Sequence, residues 1–257
     1  MKLRSTVSAI LIILVLSQNV HGQSSPALKD YAPAALGFGV AAGLELFGKT
    51  LFIPDQPRFS QPNAFDQNMR ERLFWGTGNQ HTAIKWSDRL LYGLSFSSLV
   101  WGPVLDKESE RAAFVNFEVL TANALATNIV KILSARERPY HHYGTLGSRG
   151  ADDYASFFSG HTSVAFSQAV ANAMMLSKSY PEQETLIWAS LLGTAGLTGY
   201  LRVAGDMHYL SDVLVGALAG STIAWLITSY EMDRFAAEGQ GSSDFMFTLK
   251  IPLGQGF

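Results

Sequence analysis

The sequence predicts an all-α protein, a bundle of about six core helices, and three observations carry that expectation. Apolar residues fill 47% of the 257 positions and Asp, Glu, Lys and Arg only 16%, against roughly 25% charged in an ordinary soluble domain. The apolar residues gather in uncharged stretches of about 12 to 18 residues, too long for typical strands. Those stretches are mixed with Ala, Gly, Ser and Thr and carry few β-branched runs, a composition suited to tightly packed helices.

In chain order, Lys2 and Arg4 lead into an apolar run over 9–16, and Val20, His21 and Gly22 precede Gln23 at a cleavage position. Residues 1–22 therefore read as a signal peptide, with an uncleaved anchor as the alternative. Either reading exports the chain to the envelope or holds it there. Helical stretches are expected over 31–44, 90–105, 119–130, 162–177, 185–201 and 213–230, joined by segments 54–88, 106–111, 137–159, 178–184 and 202–212. Pro54, Pro57 and Pro62 make the first joint an irregular excursion, with one short helix near Arg70. The apolar stretches fall short of the roughly 20 residues of a membrane span, which leaves embedding open. Phe245, Phe247, Leu249 and Ile251 alternate with Met246, Thr248 and Lys250, the period of a short C-terminal strand. An outer-membrane barrel would need many such segments. No repeat or linker divides the chain, so one domain is expected. Residues 23–112 supply its N-terminal helices and irregular joint, 113–230 its core, and 231–257 a tail.

Composition removes several functions. A net charge of −2 offers no global positive field for nucleic acid, and zero cysteines exclude disulfides, thiolate metal sites and thiol nucleophiles. The polar residues that remain concentrate in three joints. Lys131 and Arg138 lie seven residues apart, about two helical turns, near a helix end that Pro139 terminates; they form an anion site or complement the helix dipole. Ser159, Gly160 and His161 open the stretch 162–177. Ser159 is placed as N-cap, and Gly160 lets an anion approach free N–H groups with His161 beside it. A capped helix with an incidental histidine is the plainer alternative. If the chain is helical from Tyr209, His208 and Asp212 share one face at i and i+4, so that the carboxylate fixes the ring tautomer. That pair directs a nucleophile or simply ties down a helix start.

Taken together, Lys131-x6-Arg138-Pro139, Phe158-Ser159-Gly160-His161 and Leu201-Arg202-x5-His208-x3-Asp212 resemble the three motifs of the type 2 phosphatidic acid phosphatase superfamily. That superfamily also contains bacterial acid phosphatases and vanadate-dependent haloperoxidases. The resemblance runs from about residue 113 to 230. Two positions depart from it: the family usually has Pro where this chain has Phe158, and Ser where it has Leu201. The resemblance implies that His208 attacks phosphorus to form a phosphohistidine, that Asp212 orients its ring, and that His161 protonates the leaving oxygen and then activates water. Lys131, Arg138, Arg202, the Gly160 N–H and the Ser159 hydroxyl would bind the phosphoryl oxygens, which carry the charge in transit. With three cations in place, no metal or other cofactor is expected, and His141, His142, His161 and His208 lack metal-ligand spacing.

His141, His142 and Tyr143 read as entrance residues, Asp152 and Asp153 as solvated, Arg136 and Glu137 as a surface pair, and Asp206 as a turn carboxylate. The expected enzyme is a phosphoric monoester or diphosphate hydrolase acting on a phosphorylated lipid or small phosphate ester. Its expected place is the bacterial envelope, membrane-associated and facing the periplasm, on the inner rather than the outer membrane. Family resemblance nominates phosphatidic acid, phosphatidylglycerol phosphate, undecaprenyl diphosphate and lipid A phosphates. A soluble periplasmic acid phosphatase and a vanadate haloperoxidase are the alternatives. Oligomeric state is left open.

Overall fold

The computed structural model describes residues 26, 28–106 and 109–239. The signal-peptide reading of 1–22 and the strand reading of 245–251 lie outside the described residues. Among those described, the chain is all-α, and its one β feature is an isolated bridge between Phe59 and Arg136.

Helix α1 spans Leu28–Gly43 and continues through a π turn at Leu44–Gly48 into Lys49–Phe52. Helix α2, Ala64–Leu73, starts at Asn63, whose side chain accepts from the Asp66 N–H at 2.9 Å and donates to the Asp66 carboxylate at 3.0 Å. This reciprocal cap satisfies donors that a helix start leaves free. Helix α3, Gln80–Phe96, continues through Ser97–Trp101 into Gly102–Leu105. It begins ten residues before the expected stretch. Lys85, Asp88 and Arg89 gave this part of the sequence the look of a joint, but Gln80, Ala83, Ser87, Leu91 and Leu94 are buried at helical spacing along one face.

Helix α4, Ser109–Ser134, ends where Ala135 takes φ 42° and donates its N–H to the Lys131 carbonyl at 2.9 Å. The short α5, Pro139–His142, follows. Then come α6 (Gly160–Ser179), α7 (Glu184–Ala204) and α8 (Leu210–Gly239).

Helix α6 is central, packed by α3, α4, α7 and α8. Two glycines fix its closest approach. A Cβ on Gly220 would stand 2.1 Å from the Ser163 carbonyl oxygen and one on Gly216 2.7 Å from that of Ser159, so α8 meets the α6 backbone with no side chain between. On the opposite side, Asn116 of α4 and Asn172 of α6 exchange amide hydrogen bonds of 3.2 and 3.0 Å inside the core. Phe114, Val115 and Val119 of α4 pack nearby against Val170, Met175, Ala224 and Phe235.

Among the described residues, three segments are long and apolar enough to cross a membrane: Lys29–Phe52 (24 residues), Glu110–Ser134 (25) and Leu210–Ala237 (28). The uncharged stretches in the sequence were shorter because Asp30, Glu45, Lys49, Glu118, Lys131, Asp212 and Glu231 interrupt these segments. Leu36, Leu46, Phe47, Leu51, Leu133 and Leu218 are exposed on their outer faces. Helix α1 runs alongside α4 in the same direction. It starts with Asp30 4.0 Å from Arg234 and Tyr31 stacked edge-on against Phe114, and ends with Lys49 3.3 Å from Asp152. Residue 30 and Asp152 thus sit at opposite ends of the bundle.

Candidate active site

At the Asp152 end, the turns leaving α4 and α7 and the starts of α6 and α8 converge. Helix α4 stops before Pro139, so Lys131 and Arg138 do not share a helical face as the spacing suggested. Lys131 projects from the last turn of α4, while Arg138 sits in extended backbone (φ −78°, ψ 149°) ahead of α5. Both nonetheless reach the same cavity of about 510 Å³, together with Gly160, His161 and Arg202. A Cβ on Gly160 would lie 3.3 Å from Lys131 Nζ; its absence leaves the ammonium close to the first N–H groups of α6.

Arg138 organises the floor of this cavity. Its Nε donates to the Asp152 carbonyl at 2.7 Å, its Nη2 to the Asp152 carboxylate at 3.1 Å, and its Nη1 to the Met207 carbonyl and to His208 Nε2, both at 2.9 Å. A guanidinium only donates, so Nε2 of His208 is an acceptor and the ring proton sits on Nδ1. That nitrogen faces Asp212 Oδ2 at 3.6 Å, an electrostatic contact longer than a hydrogen bond. Burial, then Arg138, Arg202, Lys131 and His161, hold His208 well below the ordinary histidine range. A neutral imidazole is the state a nucleophile requires; here its Nε2 lone pair accepts from Arg138, and the ring, 1% exposed, lies behind that guanidinium and is not among the residues lining the cavity.

Asp212 occupies the first turn of α8, where Oδ2 accepts from the Tyr209 N–H at 3.0 Å and the Ser156 hydroxyl at 2.6 Å. Arg136 reaches its other oxygen at 2.5 Å and Asp66 at 2.7 Å. Arg136 and Glu137 are therefore not a surface pair. Arg136 is sandwiched between two fully buried carboxylates, and Glu137 accepts from His141 and His142 at 2.6 and 3.1 Å. Those histidines are absent from the residues lining the cavity. Asp152 and Asp153 are not solvated either. Arg138, Lys49 and Lys131 outweigh burial to hold Asp152 below the carboxylate range, and Asp153 accepts from Tyr140, Ser148 and the Arg149 N–H. Asp206 is the turn residue expected, at φ 59°, and is also gripped by both Arg70 Nε and Nη2.

The Ser159 hydroxyl accepts from Thr162 Oγ1 and, at 3.4 Å, from the Thr162 N–H; it is wholly buried as an N-cap and does not line the cavity. Its own N–H donates to the Asp212 carbonyl at 3.0 Å, locking α6 to α8. Leu201, where the family usually has Ser, is buried with Ala83 and Ala204 between α3 and α7.

Lys49, Asp88 and Arg149 also line the cavity and carried no motif in the sequence. Beyond the polar floor, the walls include Phe38, Ala41, Leu91, Tyr92, Ala124 and Val164.

The PAP2 superfamily model matches residues 112–236, a stretch that holds all three motifs. A lipid A 1-phosphatase of Porphyromonas gingivalis is 29% identical over 173 residues, 63% of this chain. The chain spans only 34% of that relative's length. Among solved structures, a transmembrane PAP2-type phosphatidylglycerolphosphate phosphatase from Bacillus subtilis aligns over 88% of this chain and 96% of its own, at 18% identity and a TM-score of 0.42.

Proposed function

We propose that the chain is a metal-independent phosphatase that hydrolyses phosphate monoesters or diphosphates of membrane lipids through a phosphohistidine on His208. The observation that carries this reading is the convergence of Lys131, Arg138, Arg202 and His161 on one cavity that Phe38, Ala41, Leu91 and Val164 also line. A phosphate head fits the cationic floor, and the hydrocarbon of an amphiphile fits the walls. In the first step His208 Nε2 attacks phosphorus in line. The bond to the leaving oxygen breaks, its electron pair stays on that oxygen, and His161 supplies the proton. In the second, His161 takes a proton from water as the water oxygen bonds to phosphorus. The phosphorus–nitrogen bond then breaks, returning its pair to Nε2 and releasing inorganic phosphate. Arg138, Arg202, Lys131 and the Gly160 N–H hold the equatorial oxygens throughout.

Three long apolar helices with exposed apolar faces favour a membrane enzyme over a soluble acid phosphatase. The envelope reading turns the site toward the periplasm. A spanning α1 ties that orientation to its own, because its start and the site lie at opposite ends of the bundle. A periplasmic site then requires residue 30 on the cytoplasmic side, and a cleaved leader over 1–22 gives the reverse. The chain contains no cysteine, so single cysteines at Ser60 and Glu182 can be labelled in intact cells with an impermeant maleimide. Labelling at 60 alone supports a periplasmic site, and labelling at 182 alone places it in the cytoplasm. The activity itself is tested by phosphate release in EDTA from phosphatidic acid and p-nitrophenyl phosphate, comparing the protein with His208→Ala.

A further inference from the structure

Outside the superfamily-matched segment, Asp88 on α3 places a carboxylate between two residues of the proposed chemistry. Its Oδ1 lies 2.9 Å from His161 Nε2 and accepts from Arg202 Nη1 at 3.2 Å. Ser87, its fully buried neighbour, accepts from the same Arg202 nitrogen at 3.1 Å. Asp88 is not a distant anchor, since it lines the cavity itself.

We propose that Asp88 is a positioning residue that sets the tautomer of His161, so that Nδ1 is the nitrogen that exchanges protons with the leaving oxygen and the attacking water. This rests on the phosphatase reading above. A carboxylate only accepts, so the Nε2 of His161 carries a proton toward Asp88 and Nδ1 is left to face the reaction. When the ester bond breaks, its electron pair stays on the departing oxygen, which takes the proton from Nδ1. Nδ1 then recovers a proton from the hydrolytic water, and Nε2–H stays on Asp88 throughout.

The charges around His161 explain why such a partner matters. Burial, Arg202 from α7 and Lys131 from α4 push its protonated form down, to about 4, and Asp88 from α3 opposes them; His208 lies within the same cluster. The His161 hydrogen bond and Arg202 in turn outweigh burial to keep Asp88 ionised below the usual carboxylate range. Removing the Asp88 charge should therefore lower the proton affinity of His161 further, and the rate should fall off from a lower pH as pH rises.

The test separates a proton-transfer role from a merely structural one by leaving group. A 2,4-dinitrophenolate departs without protonation, whereas an alkoxide does not. In detergent-solubilised full-length protein, Asp88→Asn is expected to lower kcat for phosphatidic acid by about 10- to 100-fold, and that for 2,4-dinitrophenyl phosphate by less than about threefold. The alkaline limb of the phosphatidic acid profile should move to lower pH. In a His161→Asn background, Asp88→Asn should add no further loss. The ratio of the two rates does not depend on how much protein folds. If Asp88→Asn yields no active protein, Asp88→Glu, which displaces the carboxylate by one methylene, is expected to shift the same ratio in the same direction. Equal losses on both substrates, a change confined to KM, an unshifted profile or additive effects with His161→Asn would each overturn the proposal. A wild-type protein that releases no phosphate from either substrate, or whose release His208→Ala does not impair, would instead remove the phosphohistidine phosphatase reading on which it rests.

Discussion

The two halves of the described chain contribute to the same cavity in different ways. Residues 112–236 supply every motif side chain, most of them buried: Lys131, Arg138, Ser159, Arg202, His208 and Asp212 are all less than one-tenth exposed. Residues 28–105 supply Lys49, Asp66, Arg70 and Asp88, which reach back to Asp152, Arg136, Asp206 and His161. They also supply part of the apolar wall through Phe38, Leu91 and Tyr92. The proposed reacting groups sit in the segment that a family pattern recognises. Part of their support and part of the cavity wall come from the segment that it does not.

That division predicts effects graded by region. The largest loss should follow His208→Ala, at least about 10³-fold in kcat, because no other group takes over the attack. Arg138→Lys keeps a charge but cannot serve the Met207 carbonyl, Asp152 and the phosphate at once, and should cost about 10²- to 10³-fold. Arg136→Ala tests whether support outside the reacting groups matters as much. It leaves Asp66 and Asp212 buried without their cation, which should destabilise the protein by about 3–5 kcal/mol in a denaturation series. A loss under about 1 kcal/mol would show Asp212 to be held mainly by Ser156 and the Tyr209 N–H, and Asp66 by the N–H and hydroxyl that Ser211 donates to it at 2.9 and 2.6 Å. Gly220→Ala should cost about 1–3 kcal/mol or more by forcing α8 off α6. The smallest effect is expected from the N-terminal half: Lys49→Ala should raise KM for phosphatidic acid by a few fold and leave p-nitrophenyl phosphate nearly unchanged.

The pH profile sharpens the contrast between the two histidines. The proposed nucleophile must be neutral, so activity should be lost as pH falls through the pKa of His208. Burial and the surrounding cations place that loss well below the ordinary histidine value of 6.5. The acid limb of the profile should therefore lie below pH 6. Replacing Arg202 by Gln, which removes one of those cations, should move the acid limb upward.

The helical class and the identity of the three polar joints were legible because they depend on local pattern: uncharged Ala- and Gly-rich stretches, and residues at fixed spacing. The helix limits were less legible. Lys85, Asp88 and Arg89 concealed the first turns of α3, whose buried face shows only as the spacing of Gln80, Ala83, Ser87 and Leu91. Arg136 was hidden inside the interval between Lys131 and Arg138, and nothing local distinguishes an arginine bound by two distant carboxylates from one in solvent. Asp66 lies 146 positions before Asp212, and Asp88 lies 73 before His161. Such pairings are created by helix packing, and one chain's residue order carries no signal for them. The N-cap role of Ser159 was visible; its lack of access to the cavity was not, since that depends on how closely α8 approaches.

The central claim is covalent transfer to His208, and rapid acid-free quenching of the protein with a ³²P-labelled phosphate ester tests it most directly. The account predicts a radiolabelled protein that survives alkali, loses its label in acid, forms in the presence of EDTA and is absent from His208→Ala. Turnover without any such label, or a label retained in His208→Ala, would contradict it.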